Sequence, residues 1–285
     1  MKINDLSPDT NKYTQMINSI AVVPKRLYYL GTLPTERIPT IAIVGTRKPS
    51  RYGTEVTQTF AHQLAQKGIV IVSGMALGID AIAHRAALDA GGITIAVQAN
   101  GLAKLTPATN RQLGEDIISH GGAIISEYEP NEPPYAPRFL ERNRIVSGLS
   151  DAVLITEAAA KSGTLNTASH ALEQGKEIFV VPGNITSPLS AGCNQLIRQG
   201  ATPVTKVEDI LEIIAPKYLA PQTQLAFGDN PLQTAIIMYL QQGVRDGDEL
   251  QSLTKADTGE FATELTLMEI NGTIRGLGAN QWTLR

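Results

Sequence analysis

The sequence predicts an α/β fold: an extended Rossmann-like, doubly wound parallel sheet followed by a small winged-helix domain. Two observations support this prediction. Between residues 39 and 214, short apolar runs alternate with longer segments of helical spacing, which is typical of a parallel sheet covered by helices. After residue 230, three helical segments are followed by two short strand-like segments around a glycine turn, an order typical of a winged helix.

Six apolar runs predict the strands of the parallel sheet. They are continuous rather than alternating with polar residues, which indicates that helices cover both faces. The predicted strands are residues 41–44, 69–72, 93–97, 123–125, 152–155 and 178–181. Glycines before several of them, such as Gly68, Gly175 and Gly200, are expected to end the preceding helices.

The pattern divides the chain into four segments. Residues 1–38 form an N-terminal segment, in which the strand-like residues 26–31 are expected to add an edge strand. Residues 39–215 form the Rossmann-like domain, residues 216–229 a linker and residues 230–285 the winged-helix domain. From Gly228 to Arg285 there are 4 Lys and Arg against 8 Asp and Glu. A nucleic-acid-reading domain needs a basic surface, so we expect this domain to serve protein interaction or regulation.

Composition limits the classes of protein to consider. The chain has 285 residues, of which 42% are hydrophobic and 18% charged, so it can bury a substantial core. Its single cysteine excludes a disulfide framework and a cysteine-based metal site. The formal net charge is −3, so any nucleic-acid surface must be local. Without a long apolar run or a signal-like N-terminus, we expect a cytoplasmic protein that does not associate with membranes.

The loops after the predicted strands suit phosphate binding. Ligands of open parallel sheets bind at the carboxyl ends of the strands, and small or hydroxyl residues there leave backbone N–H groups accessible. The loops after the first, second and fifth strands supply Gly45, Thr46, Ser73, Gly74, Ala76, Gly78, Ser162, Gly163 and Thr164. Neither a P-loop nor a G-x-G-x-x-G motif is present, so hydrolysis of the P-loop kind is not expected.

Cations and aromatic residues accompany these loops. Taken singly, the arginines would be read as helix caps or surface ion pairs; together they indicate anion binding. A single nucleic-acid strand needs cations for its phosphates and aromatic faces for its unstacked bases. The residues concerned are Arg47, Lys48, Arg51 and Tyr52 in the first loop, Lys161 in the fifth, and Phe139, Arg142, Asn143 and Arg144 before the fifth strand.

These motifs resemble the DprA/Smf (DNA processing protein A) family. The resemblance rests mainly on residues 41–47, 73–80, 142–150 and 192–197, and it runs from about residue 20 to residue 214. It implies a single-stranded DNA-binding protein that protects incoming DNA and loads the RecA recombinase in natural transformation. It also implies a homodimer in which Gly45, Thr46 and Arg47 hold phosphate. We expect no catalysis, cofactor or metal.

Two alternative functions remain open. A phosphoribohydrolase-like enzyme of the same fold group would need a catalytic glutamate, but Thr167 stands at that position and no carboxylate replaces it nearby. A nucleotide-binding sensor would keep the phosphate pocket, but it would not need basic residues both in the first loop and before the fifth strand. Among single residues, Cys193 and His84 are interpreted as structural, and Asp80 either caps the helix that follows or orders the pocket loop.

Overall fold

The computed structural model describes residues 2–219 and 230–284. The chain divides into two compact units, Met1–Tyr218 and Leu219–Arg285. Most of the predicted linker, residues 220–229, lies outside the described residues. Its first residues, Pro216–Tyr218, form a 3₁₀ turn and belong to the first unit, and the bounds of the linker stay a prediction. None of the described helices is both long and apolar enough to cross a membrane.

One sheet organises the first unit. Its strands are β1 Asn4–Leu6, β2 Leu27–Gly31, β3 Thr40–Val44, β4 Val70–Ser73, β5 Thr94–Val97, β6 Ala123–Ser126, β7 Ala152–Ile155, β8 Glu177–Val180 and β9 Thr202–Pro203. They lie in the order β1-β2-β6-β5-β4-β3-β7-β8-β9. Strands β3 to β9 pair in parallel, whereas β2 pairs antiparallel with β6 and with β1. The six predicted parallel strands are confirmed within one residue at either end.

The predicted N-terminal strand is present, but it does not lie at the edge of the sheet. Strand β2 lies inside the sheet because β1 pairs with its outer side. Leu27 and Leu30 of this strand are buried in the two hydrophobic clusters on opposite faces of the sheet. Strand β1 has only three residues, too few for its periodicity to be recognised in the sequence.

Helices cover both faces of the sheet, as predicted. Adjacent residues of a strand point to opposite faces, and Ile124 and Ile125 of β6 enter two different hydrophobic clusters. The helices are α1 Arg51–Gln66, α2 Ile79–Asp89, α3 Arg111–Ser119, α4 Arg138–Gly148, α5 Thr164–Glu173, α6 Ala191–Arg198 and α7 Val207–Ile214. Gly68, Gly175 and Gly200 have positive φ, as expected of residues that end helices.

The strand order places a crevice beside β3. Strands β4, β5 and β6 extend the sheet to one side of β3, and β7, β8 and β9 extend it to the other. The loops leaving β3 and β7 therefore diverge, and such a switch point is where open α/β sheets bind ligands.

The second unit contains three helices and a hairpin, in the predicted order. These are α8 Pro231–Gln241, α9 Gly247–Thr254, α10 Thr258–Ile270, β10 Ile274–Gly278 and β11 Gln281–Leu284. Its own core includes Ile236, Leu250, Phe261 and Met268. The assignment of this unit as a winged helix stays a prediction.

Candidate functional site

A cavity of about 410 Å³ lies at the crevice beside β3 and β7. Ten of the eighteen predicted site residues line it: Gly45, Arg47, Ala76, Phe139, Arg142, Asn143, Lys161, Ser162, Gly163 and Thr164. Four further residues complete its wall, namely Val44, Asp80, Leu140 and Thr167. The sequence thus located the loops and one helix that build the cavity.

Two exposed cations face the cavity without an acidic partner. Arg47 and Lys161 are both exposed and line the wall. Neither forms an ion pair within residues 2–219 and 230–284. The guanidinium carbon of Arg47 lies 5.7 Å from the centroid of the Phe139 ring, a distance at which the cation and the ring attract each other. The ring thereby steadies Arg47 while its N–H groups remain available to an anion.

The arginines around the segment before the fifth predicted strand do not form a cationic surface. Arg144 is largely buried and pairs with Glu127 at 2.5 Å, and Arg138 pairs with Glu132 at 2.7 Å. Arg144 does not line the cavity, so the structure does not bring it together with Arg47 there, and its contact with DNA stays a prediction. The reason is helical geometry: at about 100° per residue, Arg142 and Arg144 point to opposite sides of α4.

Arg142 forms the floor of the cavity rather than a free phosphate ligand. Its side chain is buried, and Nη1 donates to the carbonyl of Gly74 at 2.6 Å and to that of Val97. The carboxylate of Asp80 accepts from the N–H groups of Gly74 and Ala76 at 3.1 and 3.3 Å. These two amides are therefore already satisfied by an internal anion, which corrects the prediction that they are open to phosphate.

Asp80 orders the pocket loop and does not cap the helix, whose N-cap position is occupied by Gly78. Burial raises the pKa of the Asp80 carboxyl above its ordinary value of 3.8, and the nearby charge of Arg142 acts in the opposite direction. The buried carboxylate and the buried guanidinium are therefore opposite charges that act on each other, although among the described residues they form no direct ion pair.

Other predicted residues shape the loops without lining the cavity. The N–H of Thr46 donates to the carbonyl of Glu157 at 2.8 Å, and the buried hydroxyl of Ser73 donates to the carbonyl of Ile43 at 2.6 Å. Gly78 has φ +78° and packs against the backbone of the first loop so closely that a Cβ would collide with it. Lys48 is exposed in the loop that carries Arg47, and Arg51 is exposed at the start of α1; neither lines the cavity.

Tyr52 belongs to a second cavity of about 430 Å³, which the sequence did not predict. Its ring is 46% exposed, and its hydroxyl donates to the carbonyl of Pro182 at 2.7 Å. Glu157 lines the same cavity, almost fully buried. The only sequence signal was the turn-forming pair Pro182-Gly183 after the sixth predicted strand.

The titratable groups near the crevice have structural roles. The Thr94 hydroxyl donates to Ile71, so it accepts from Nδ1 of His84 at 2.6 Å, which makes Nδ1 the protonated nitrogen. Burial lowers the pKa of His84 to about 3 and raises that of the Cys193 thiol to about 11. Both residues are therefore neutral and unreactive at pH 7. Within the described ranges, no group of three or more acidic, histidine or cysteine side chains is arranged to hold a metal ion.

Comparison with known proteins gives a consistent result. The sequence model of DNA recombination-mediator protein A matches residues 5–215. Protein Smf of Escherichia coli is 44% identical over 97% of this chain and 76% of its own length. DNA processing protein DprA of Bacillus subtilis is 40% identical over 74% of this chain and 71% of its own length.

Solved structures agree in fold. DNA processing protein A from Streptococcus pneumoniae is similar with a TM-score of 0.69 and 38% identity, covering 75% of both chains. The protein of the same name from Helicobacter pylori, described for its single-stranded DNA binding mode, has a TM-score of 0.67 and 33% identity and covers 76% of this chain and 98% of its own. With the family model matching most of its length, this chain belongs to the DNA recombination-mediator protein A family, also called DprA or Smf.

Proposed function

We propose that the first cavity binds the sugar–phosphate backbone of single-stranded DNA, and that the protein acts in DNA processing without catalysing a reaction. The observation that carries this proposal is the pair of exposed cations, Arg47 and Lys161, in one cavity at the switch point. Phosphate contacts supply much of the affinity for nucleic acid. The Helicobacter pylori relative, described as binding single-stranded DNA, supports the choice of ligand.

The non-catalytic role is supported by what lines the cavity. Among the described residues, Asp80 supplies the one carboxylate of the lining; it is buried and already accepts from two amides, so it is poorly placed to move a proton. Thr167 occupies the position of the glutamate expected in a phosphoribohydrolase-like enzyme. General acid–base catalysis needs a group with a suitable pKa within reach of substrate, and we assign none here.

The salt dependence of binding tests the proposal. Fluorescence anisotropy with an end-labelled oligonucleotide should give a logarithm of affinity that falls with the logarithm of salt, with a slope of about −0.7 per phosphate contact. Arg47→Ala should weaken binding to all sequences alike and make the slope shallower by about one contact. Affinity independent of salt would refute the proposal.

Arg198→Ala is the matched control. Arg198 is an exposed arginine in the last turn of α6. Because helices return antiparallel to the strands, this turn lies at the opposite edge of the sheet from the cavity. The control should bind with wild-type affinity and slope. Equal losses in Arg47→Ala and Arg198→Ala would show that only general charge matters, and would remove the cavity from the proposal.

The proposal extends to RecA loading and to a homodimer, both of which rest on the family resemblance. We expect sedimentation of the purified chain to give twice the monomer mass. On single-stranded DNA coated with its binding protein, the chain should shorten the lag of RecA filament assembly. Arg47→Ala should lengthen that lag again, because a loader that does not hold the strand cannot deliver RecA to it.

A further inference from the structure

The second cavity shares a wall with the first. Thr46 donates its N–H to the carbonyl of Glu157 at 2.8 Å, and the Cβ that Gly45 lacks would lie 2.8 Å from the same oxygen. Gly45 lines the first cavity, and Glu157 lines the second. The second cavity lies toward β8, the next strand of the sheet, and neighbouring strands are only about 4.8 Å apart. The two cavities therefore lie next to each other at the carboxyl edge of the sheet.

The lining of the second cavity differs from that of the first in charge. No lysine or arginine contributes to it among the described residues. The one ionisable acid is Glu157, which is 2% exposed and accepts from the N–H and hydroxyl of Ser50 at 2.8 and 2.5 Å. A carboxylate without a neighbouring cation repels phosphate. This cavity therefore suits a neutral ligand.

The lining of the second cavity combines one aromatic side chain with several polar groups. The half-exposed ring of Tyr52 forms one wall, and the bond from its hydroxyl to Pro182 fixes the orientation of the ring. The opposite loop is held in place by Asn194, whose amide group exchanges two hydrogen bonds with the backbone of Gly183 at 3.3 and 3.1 Å. Asn184 and Ser187 add donors and acceptors at the rim.

We propose that this second cavity is a nucleobase subsite, in which Tyr52 stacks on the base of the nucleotide whose phosphate is held by Arg47 and Lys161. The proposal rests on the single-stranded DNA binding proposed above. An unstacked base is a neutral ring with hydrogen-bonding edges, and stacking on an aromatic side chain favours it without selecting a sequence. Tyr52 therefore contributes to affinity and Arg47 to its salt dependence.

Two substitutions separate the ring from the hydroxyl. Tyr52→Ala should weaken binding of an oligothymidylate about tenfold, the size of one lost stacking interaction, with an unchanged slope against salt. Tyr52→Phe keeps the ring and should stay within about threefold of wild type, since the hydroxyl bonds only to the protein. Tyr135→Ala is the control, because Tyr135 is 62% exposed and lines neither cavity.

An abasic oligonucleotide gives the decisive comparison. On it, wild type and Tyr52→Ala should bind equally, because no base remains to be stacked. If Tyr52→Ala fails to fold by circular dichroism, Tyr52→Leu replaces it as a variant of comparable bulk without an aromatic face.

The outcomes distinguish the two proposals. Failure of the wild-type protein to bind any single strand refutes the proposed function. Normal DNA binding with equal affinities of wild type and Tyr52→Ala refutes the subsite alone. So does a loss that persists on abasic DNA, or a slope that becomes shallower by one phosphate contact, since the cavity would then be holding backbone.

Discussion

Replacing Arg142 by methionine tests the buried pair beneath the first cavity. Methionine fills much of the space of the arginine, but it leaves the carbonyls of Gly74 and Val97 without their donor and Asp80 without its opposing charge. Each buried acceptor that loses its partner costs about 1–3 kcal/mol, so the two carbonyls together account for about 2–6 kcal/mol, and the loss of the opposing charge near Asp80 contributes as well. Because these contributions overlap, we expect the free energy of unfolding to fall by about 3–5 kcal/mol.

Urea unfolding of a double-mutant cycle measures the coupling within the pair. Asp80→Asn alone leaves the buried guanidinium without its opposing charge, whereas Arg142→Met with Asp80→Asn leaves neither charge. The double variant should therefore be more stable than the sum of the single losses predicts, by about 1 kcal/mol or more. Strictly additive losses would show that Asp80 and Arg142 act independently.

The pH dependence of Arg142→Met gives a second signature. Burial already raises the pKa of Asp80, and Arg142 is the main charge that opposes this rise. Without Arg142 the pKa of Asp80 rises further, so the folded state keeps a proton that the unfolded state releases. A group with a raised pKa in the folded state stabilises that state as pH falls. The variant should therefore regain stability relative to wild type as the pH is lowered from 7; no such recovery would refute the reasoning.

Three further predictions concern stability and the second unit. Burial lowers the pKa of His84 from 6.5 to about 3, so between these pH values the unfolded state binds more protons than the folded state. The free energy of unfolding should therefore decrease as the pH is lowered, by about 2 kcal/mol at pH 5. His84→Asn should flatten this pH dependence in urea titrations. Lys176 donates to the carbonyls of Ser147 and Gly148 at 2.7 and 2.8 Å; Lys176→Met should cost about 2–3 kcal/mol in thermal unfolding, whereas Lys104→Met, at an exposed position, should change little. Deleting the residues after Tyr218 should leave single-strand affinity within tenfold, because α10 carries only acidic charges; a larger loss would assign the second unit a direct role in binding.

The parallel sheet was predictable because its strands are buried on both faces. Continuous apolar runs such as those of β3 and β7 are distinctive in a sequence. Strands β1 and β9, with three and two residues, carry no such signal, since their pairing is decided by neighbours distant in the chain. For the same reason, the sequence predicted β2 as a strand but did not predict that β1 pairs with it.

The candidate site was predictable in its loops but not in the state of its polar groups. A list of residues shows that glycine amides and arginines are present, and it does not show that Asp80 already binds the amides of Gly74 and Ala76. The spacing of Arg142 and Arg144 did contain a usable signal, because two residues on one helix separated by two positions face apart. The second cavity depends on three loops distant in sequence, so only the folded chain reveals it.

The close packing of the crevice loops has a consequence for how the fold can diverge. The tight approaches at Gly45, Gly53 and Gly78 involve the backbone of the first loop and residues Ile79 and Glu157, so these glycines preserve geometry. The exposed side chains of Arg47 and Lys161 make no comparable packing demand. The fold of the crevice and its preference for a ligand are thus determined by different residues. A variant that kept the glycines and replaced the two cations would keep the cavity and could bind a different ligand there.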